Sequence, residues 1–113
     1  MRVAEALAAA DAAAAIMLRD NRAALATLRG GADLSTAERI AIRRGQVFAV
    51  RLALQAVESV ANATGIAGIF LDHPVHRAWR DAVAASRHIS LNWDAVAAMV
   101  GQAALGLEPP SNY

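Results

Sequence analysis

Apolar residues recur at every third or fourth position along most of the chain, a spacing that places them on one face of a helix. Between about Arg2 and Arg29 they form a heptad-like seam, which Gly30-Gly31 ends. The members of this seam are Val3, Leu7, Ala10, Ala14, Met17/Leu18, Leu25 and Leu28. The pattern therefore predicts a long first helix whose apolar seam is buried.

A second long helix is predicted from Ser35 to about Thr64. Ser35-x-x-Glu38 has the spacing of a capping box, in which each side chain bonds the backbone N–H of the other residue. The apolar positions that follow are Ile40, Val47, Val50, Leu54, Val57 and Ala61. Only a short connection separates the first two helices, so we expect them to form an antiparallel hairpin.

Two shorter helices are predicted in the rest of the chain. Asp72-His73-Pro74 supplies a start signal for a third helix that reaches about His88, because proline is favoured at the first helical position. Asn92 is the expected cap of a fourth helix, which Glu108-Pro109-Pro110 ends. The apolar stripe of this fourth helix is Val96, Met99/Val100, Ala103 and Leu107.

These signals together predict an all-α fold, an up-down four-helix bundle in which residues 1–113 form a single domain. A chain of 113 residues is large enough for one hydrophobic core and too small for two. Its apolar fraction is high, at 57%, and both long helices carry wide apolar faces that four helices cannot fully cover. We therefore expect a homo-oligomer, a dimer or a tetramer, formed through the long helices.

Composition and charge exclude several classes of function. The absence of cysteine rules out a disulfide framework and a thiolate metal site, and fits a cytoplasmic protein. A formal net charge of +1, with both signs interspersed, gives no basic stripe for nucleic acid. Near the N-terminus the longest uncharged run, Ala12 to Leu18, is far shorter than the roughly 20 residues that span a bilayer, so no membrane segment is expected.

Ionisable residues gather at fixed spacing only on the predicted third helix, where His88 is the candidate catalytic residue. His88 lies near the predicted C-terminus of this helix, where the helix dipole favours a protonated imidazole. Asp81 is seven residues earlier on nearly the same face, but about 10 Å away along the axis, too far to bond His88. Arg77 and Asp81 can pair at i,i+4, with Arg80 about a quarter-turn away. The alternative is that these residues form a solvent-exposed, salt-bridged face of the helix without a catalytic role.

A metal site is not expected. His73 and His76 have the spacing of a short ligand pair, but His73 precedes a proline and falls outside the predicted helix. No third ligand converges with them in the sequence, and a structural metal site needs four.

The order of motifs resembles the C-terminal helical domain of the acyl-CoA dehydrogenase superfamily. The motifs are the long hairpin, the Gly65/Gly68 connector, Pro74-x2-Arg77-x2-Arg80-Asp81, the following His88, and Leu105-Gly106 near the end. The chain is most similar to the branch of flavin-dependent monooxygenases that receive reduced flavin from a separate reductase. The dehydrogenases proper use a carboxylate base that the sequence does not allow us to place, which favours the monooxygenase branch.

The resemblance implies a site and a cofactor. In that family the flavin lies between a β-rich middle domain and these helices, and the helices also build much of a tetramer interface. The resemblance makes His88 the residue that reaches the isoalloxazine ring and the substrate, either to stabilise the flavin–oxygen adduct or to handle a substrate proton. Arg77, Arg80 and Asp81 become structural supports. Reduced FMN or FAD is expected in the full-length enzyme, with none held tightly by this chain alone.

The same resemblance leaves the family's N-terminal and middle domains without a counterpart. We therefore expect a truncated protein, an excised domain or a split gene product, inactive in isolation. The leading hypothesis is the C-terminal domain of a two-component monooxygenase that uses reduced flavin and O2 on a small organic substrate, with a flavin reductase as partner. An acyl-CoA dehydrogenase-like enzyme domain and a non-catalytic, self-associating helical bundle remain the alternatives.

Overall fold

The computed structural model describes residues 1–109, and this part of the chain is built from helices without a strand. The four α-helices are α1 (Arg2–Arg29), α2 (Thr36–Ala63), α3 (Pro74–Ser86) and α4 (Trp93–Ala104). A first 3-10 helix, Gly65–Ile69, joins α2 to α3, and a second, Ile89–Leu91, joins α3 to α4. The predicted all-α class, with two long and two shorter helices, is confirmed.

The predicted start of α2 is confirmed at the level of hydrogen bonds. Ser35 Oγ accepts from the Glu38 backbone N–H at 3.2 Å, and Glu38 Oε2 accepts from the Ser35 backbone N–H at 2.8 Å. Glu38 Oε1 also accepts from Thr27 Oγ1 of α1 at 2.9 Å. These hydrogen bonds hold the Glu38 carboxylate in its ionised form and so lower the pKa of that carboxyl.

The predicted end of α4 is wrong by about one turn. The helix stops at Ala104, because Gly106 adopts a φ of 72° that favours glycine. The Gly106 N–H then donates to the Ala103 carbonyl at 3.1 Å, and the Leu107 N–H donates to the Gln102 carbonyl at 2.9 Å. This pair of bonds is a Schellman motif, which closes the helix and leaves Leu107 exposed outside it.

Helix α2 is the common packing partner of the other three helices. Helices α1, α3 and α4 each pack against α2, whereas their direct contacts with one another are marginal. The buried apolar side chains are Ala6, Ala13, Ile40, Val47, Ala49, Ala56, Val96 and Met99. Half of this core is alanine, so the helices approach closely but bury little apolar volume. The molecule is elongated, with extents of 50 × 27 × 24 Å.

The prediction that the α1 seam is buried is wrong. Its large members Val3, Leu7, Leu18, Leu25 and Leu28 are all exposed, and Leu18 and Leu25 retain 52% and 47% of their accessible surface. At 3.6 residues per turn, these five positions fall within roughly a quarter of the helix circumference. The face that packs on α2 is the neighbouring one, because its small side chains allow a closer approach of the two helices. We call the exposed face the α1 stripe.

Gly45 of α2 lies directly against side chains of α1. A Cβ at this position would overlap Asp20 Oδ2 and would lie 3.3 Å from Ile16 Cγ2. Asp20 Oδ1 accepts from Arg19 Nε at 2.8 Å, whereas the buried Oδ2 has no partner. The bare backbone of Gly45 therefore makes room for a carboxylate between the long helices. Within residues 1–109, no helix combines the length and the apolar character needed to cross a membrane.

Candidate functional site

A cleft of about 760 Å³ lies between α2, α3 and the connection that leads into α4. We call it the His88 cleft, because His88 lies in its wall. The other polar and aromatic side chains that line it are Arg51 and Glu58 of α2, Trp79 and Ser86 of α3, Arg87, Asn92, Trp93 and Asp94. The candidate catalytic residue therefore faces a space that has two indole rings and charges of both signs.

His88 is not part of a helix, contrary to the sequence prediction. Helix α3 ends at Ser86, and His88 instead caps the second 3-10 helix. Its Nδ1 accepts from the Ser90 backbone N–H at 3.2 Å and also lies 2.6 Å from Ser90 Oγ. Because the chain leaves α3 before position 88, the helical geometry that would place His88 on one face with Asp81 does not apply.

Arg77, Arg80 and Asp81 are brought together, but away from the His88 cleft. Arg77 Nε lies 3.8 Å from Asp81 Oδ2, and Arg80 Nε lies 3.8 Å from Asp81 Oδ1. All three side chains are more than half exposed, so each pair stabilises the chain by at most about 1 kcal/mol. Their assignment as structural supports stays a prediction.

Sequence reasoning missed the residues that α2 contributes. The guanidinium carbon of Arg51 lies 4.7 Å from the centre of the Trp93 ring, a cation–π contact between α2 and α4. Glu58, two turns further along α2, brings a carboxylate to the same cleft. Arg51 and Glu58 are seven residues apart and hence on one face of the helix, which is the signal that could have found them.

A second hollow, of about 620 Å³, continues along α2 and α3 and shares Glu58 and Trp79 with the His88 cleft. His76 lines it and donates from Nδ1 to the Gly68 carbonyl at 3.2 Å. His73 caps α3, with its Nδ1 accepting from the Val75 N–H at 3.2 Å. Both histidines therefore have local structural roles, and among residues 1–109 no three His, Cys, Asp or Glu side chains converge as metal ligands would.

The fold is a bundle of helices packed on one central helix, with a polar and aromatic cleft beside the α3–α4 connection. Residues 1–93 match the family model of the acyl-CoA dehydrogenase C-terminal domain. The chain belongs to this family, and the matched range includes His88 and Ser90.

Three individual proteins are also similar to the chain. The chain is 51% identical over 117 residues to the oxygenase component of the FADH(2)-dependent resorcinol hydroxylase of Rhizobium sp. (strain MTP-10005), covering 100% of the chain and 29% of the relative. It superimposes with a TM-score of 0.91 on the 3-HSA hydroxylase of Rhodococcus sp. RHA1, at 27% identity over 97% of the chain and 28% of that structure. The HsaA monooxygenase from M. tuberculosis gives a TM-score of 0.89 at 27% identity, over 97% of the chain and 29% of that structure.

Proposed function

We propose that this chain is the C-terminal domain of the oxygenase component of a two-component flavin-dependent monooxygenase that hydroxylates a small phenolic substrate. The observation that carries the proposal is the 51% identity, across the whole chain, to an FADH(2)-dependent hydroxylase. The chain spans less than a third of that relative. The reaction therefore belongs to the longer protein in which such a domain works, and a flavin reductase is the partner that would supply the reduced cofactor.

The residues of the His88 cleft fit a flat, polar-edged ligand such as an isoalloxazine ring or a phenol. Trp79 offers a planar apolar surface, while Asn92 and Arg51, which lies over the Trp93 ring, offer hydrogen-bond donors. Reduced flavin, when bound, supplies two electrons to O2, so that one oxygen atom enters the substrate and the other leaves as water. The helices of this chain would cover one side of the ring and exclude water from it.

His88 is the residue we assign to the reacting atoms. It lies in the wall of the cleft on a connection that Ser90 and the ends of α3 and α4 hold in place. An imidazole in this position can donate a hydrogen bond or exchange a proton with a phenolic oxygen. Arg77, Arg80 and Asp81 are proposed to support the surface that meets the rest of the enzyme, since they are exposed in this chain.

Assembly is the second part of the proposal. The α1 stripe is a continuous row of exposed apolar side chains on a helix of 28 residues. A continuous row of this kind marks a protein–protein interface more often than a free surface. We propose that it packs against a second copy of the chain, giving a homodimer or homotetramer.

A chimeric enzyme tests the proposed reaction. Residues 1–113 would replace the aligned segment of the Rhizobium hydroxylase, and the purified chimera would be supplied with FADH2, O2 and resorcinol. We expect resorcinol-dependent oxygen consumption and a hydroxylated product. The same hydroxylase with its aligned segment deleted is the control. A chimera that folds and binds FAD but never hydroxylates the substrate would contradict the proposal.

A further inference from the structure

We propose that Ser90 is a positioning residue that selects the tautomer of the neutral His88 imidazole, with the proton on Nε2. In this tautomer Nε2 is a hydrogen-bond donor, and the lone pair of Nδ1 is engaged by Ser90. This arrangement requires neither flavin nor substrate, because both residues belong to the connection between α3 and α4. The catalytic consequence rests on the proposed function, but the protonation of the ring does not.

The direction of one hydrogen bond determines where the proton lies. The Ser90 backbone N–H points at His88 Nδ1 from 3.2 Å, and an amide N–H can only donate. Nδ1 must therefore accept and cannot carry a proton itself. The Ser90 hydroxyl, whose oxygen lies 2.6 Å from the same nitrogen, then donates as well. In a neutral imidazole with an accepting Nδ1, the proton is on Nε2.

The other histidines provide internal comparisons. His76 Nδ1 faces the Gly68 carbonyl, which can only accept, so His76 carries its proton on Nδ1 and is the opposite tautomer. His73 repeats the backbone half of the His88 arrangement, since its Nδ1 accepts from the N–H two residues later at 3.2 Å. Position 75 is valine and has no hydroxyl. The Ser90 hydroxyl is thus the feature that distinguishes His88 from His73.

The charged groups around the cleft are balanced in sign. Arg87 precedes His88, Arg51 and Glu58 face the cleft from α2, and Asp94 faces it from α4. The lone pair of His88 Nδ1 is taken up by the two Ser90 donors. The ring therefore offers one donor, Nε2–H, suited to stabilising negative charge that develops on a nearby oxygen.

Nitrogen NMR of the full chain tests the inference directly. The chain would be labelled with 15N-histidine, and the two ring nitrogens of each histidine would be observed at about pH 8.5, where an ordinary imidazole is neutral. We expect a protonated Nε2 for His88 and a protonated Nδ1 for His76. Ser90→Ala should reduce the Nε2–H to Nδ1–H ratio of His88 roughly 2- to 10-fold, the effect of losing one hydrogen bond. Ser90→Thr, which keeps a hydroxyl, should restore the ratio.

Controls separate positioning from general loss of structure. Ser86→Ala removes a hydroxyl from the same cleft, but that hydroxyl donates to the Val83 carbonyl at 2.7 Å, so the His88 ratio should not change. The His73 signals should also stay constant in every Ser90 variant. A wild-type His88 protonated on Nδ1, or an unchanged ratio in folded Ser90→Ala, would overturn the inference. Neither result depends on whether the chimeric enzyme hydroxylates resorcinol, so the two proposals fail separately.

Discussion

Arg51 lies over the indole ring of Trp93, with 4.7 Å between its guanidinium carbon and the ring centre. Phe48, about one turn earlier on α2, also packs against Trp93, at a centroid separation of 6.1 Å and a tilt of 46°. The first residue of α4 is therefore held to α2 by two side chains. These contacts fix the distance between the α2 and α4 walls of the His88 cleft.

Removing the charge of Arg51 should weaken this attachment. We expect Arg51→Met, which keeps most of the aliphatic stem, to lower the free energy of unfolding by about 0.5–1 kcal/mol, as for an exposed cation–π pair. Urea denaturation followed by circular dichroism measures the change. Arg51→Lys keeps a cation and should lose less. Equal stability of wild type and Arg51→Met would show that the contact contributes nothing.

Two substitutions at His88 should separate its structural role from its chemical role. His88→Ala removes the cap of the second 3-10 helix and should cost about 0.5–2 kcal/mol of stability. His88→Asn keeps a capping acceptor and should stay within about 0.5 kcal/mol of wild type. Both lose the Nε2 donor, so in the chimera both should lose roughly 10²-fold in hydroxylation and release more peroxide. If His88→Asn hydroxylated the substrate as fast as wild type and released no more peroxide, His88 would have no role in the reaction.

Gly45→Ala should destabilise the long hairpin. The added methyl overlaps the Asp20 carboxylate, and forcing the two helices apart should cost about 1–3 kcal/mol. Asp20→Ala in the same chain should restore most of that loss, because it removes the overlapping group. Gly101→Ala is the matched control, since nothing lies within 4 Å of a Cβ there, and it should stabilise α4 by about 0.4–1 kcal/mol. Chemical denaturation of the wild type and the three variants gives the comparison.

Acidification should weaken the start of α2 through Glu38. Its pKa in the folded protein lies below the ordinary value of 4.5, chiefly because of the hydrogen bonds with Ser35. The contribution of Glu38 is therefore complete above pH 4.5 and is lost as the pH falls through its lower folded pKa. Glu38→Gln, which can still form a capping box, should show a flatter loss of stability in acid. The same loss of stability with falling pH in the wild type and in Glu38→Gln would contradict this.

The α1 stripe should determine the state of assembly. In sedimentation velocity we expect the wild-type chain to associate at micromolar concentration. Leu18→Gln combined with Leu25→Gln should shift it toward the monomer, because both side chains belong to the stripe and each keeps about half of its surface exposed. Leu71→Gln is the control, since Leu71 is 76% exposed but lies outside α1. A wild-type monomer at these concentrations would rule out the proposed homo-oligomer.

The sequence predicts those parts of the fold that depend on local hydrogen bonding. The capping box at Ser35 and Glu38 and the cap at Asn92 each involve atoms within three residues, so their spacing alone identifies them. Which side of α1 is buried depends on the partner helix. A stripe of large residues looks like a core position, whereas the residues of α1 that are buried against α2 are Ala6 and Ala13. Periodicity does not distinguish these two cases.

The candidate site around His88 could be predicted only in part, because it too depends on how the helices end and pack. His88 could be selected from its position in a motif, but its bond to Ser90 requires the chain to leave α3 at Ser86 and form a separate 3-10 helix. The C-terminal boundary of a helix is set by bonds that compete within one or two residues, and those bonds leave little trace in composition. Arg51 and Glu58 come from a different helix, so their convergence on His88 depends on packing.

The position of α2 as the shared partner of the other helices also constrains the order of folding. Helix α1 can pair with α2 as soon as both have been synthesised, since they are neighbours in the chain and Thr27 already meets Glu38 across the turn. Since α3 and α4 each pack on α2 and hardly touch one another, we expect them to add to this pair independently. We expect the cleft around His88 to be completed last, because its wall includes the start of α4, where Trp93 meets Arg51.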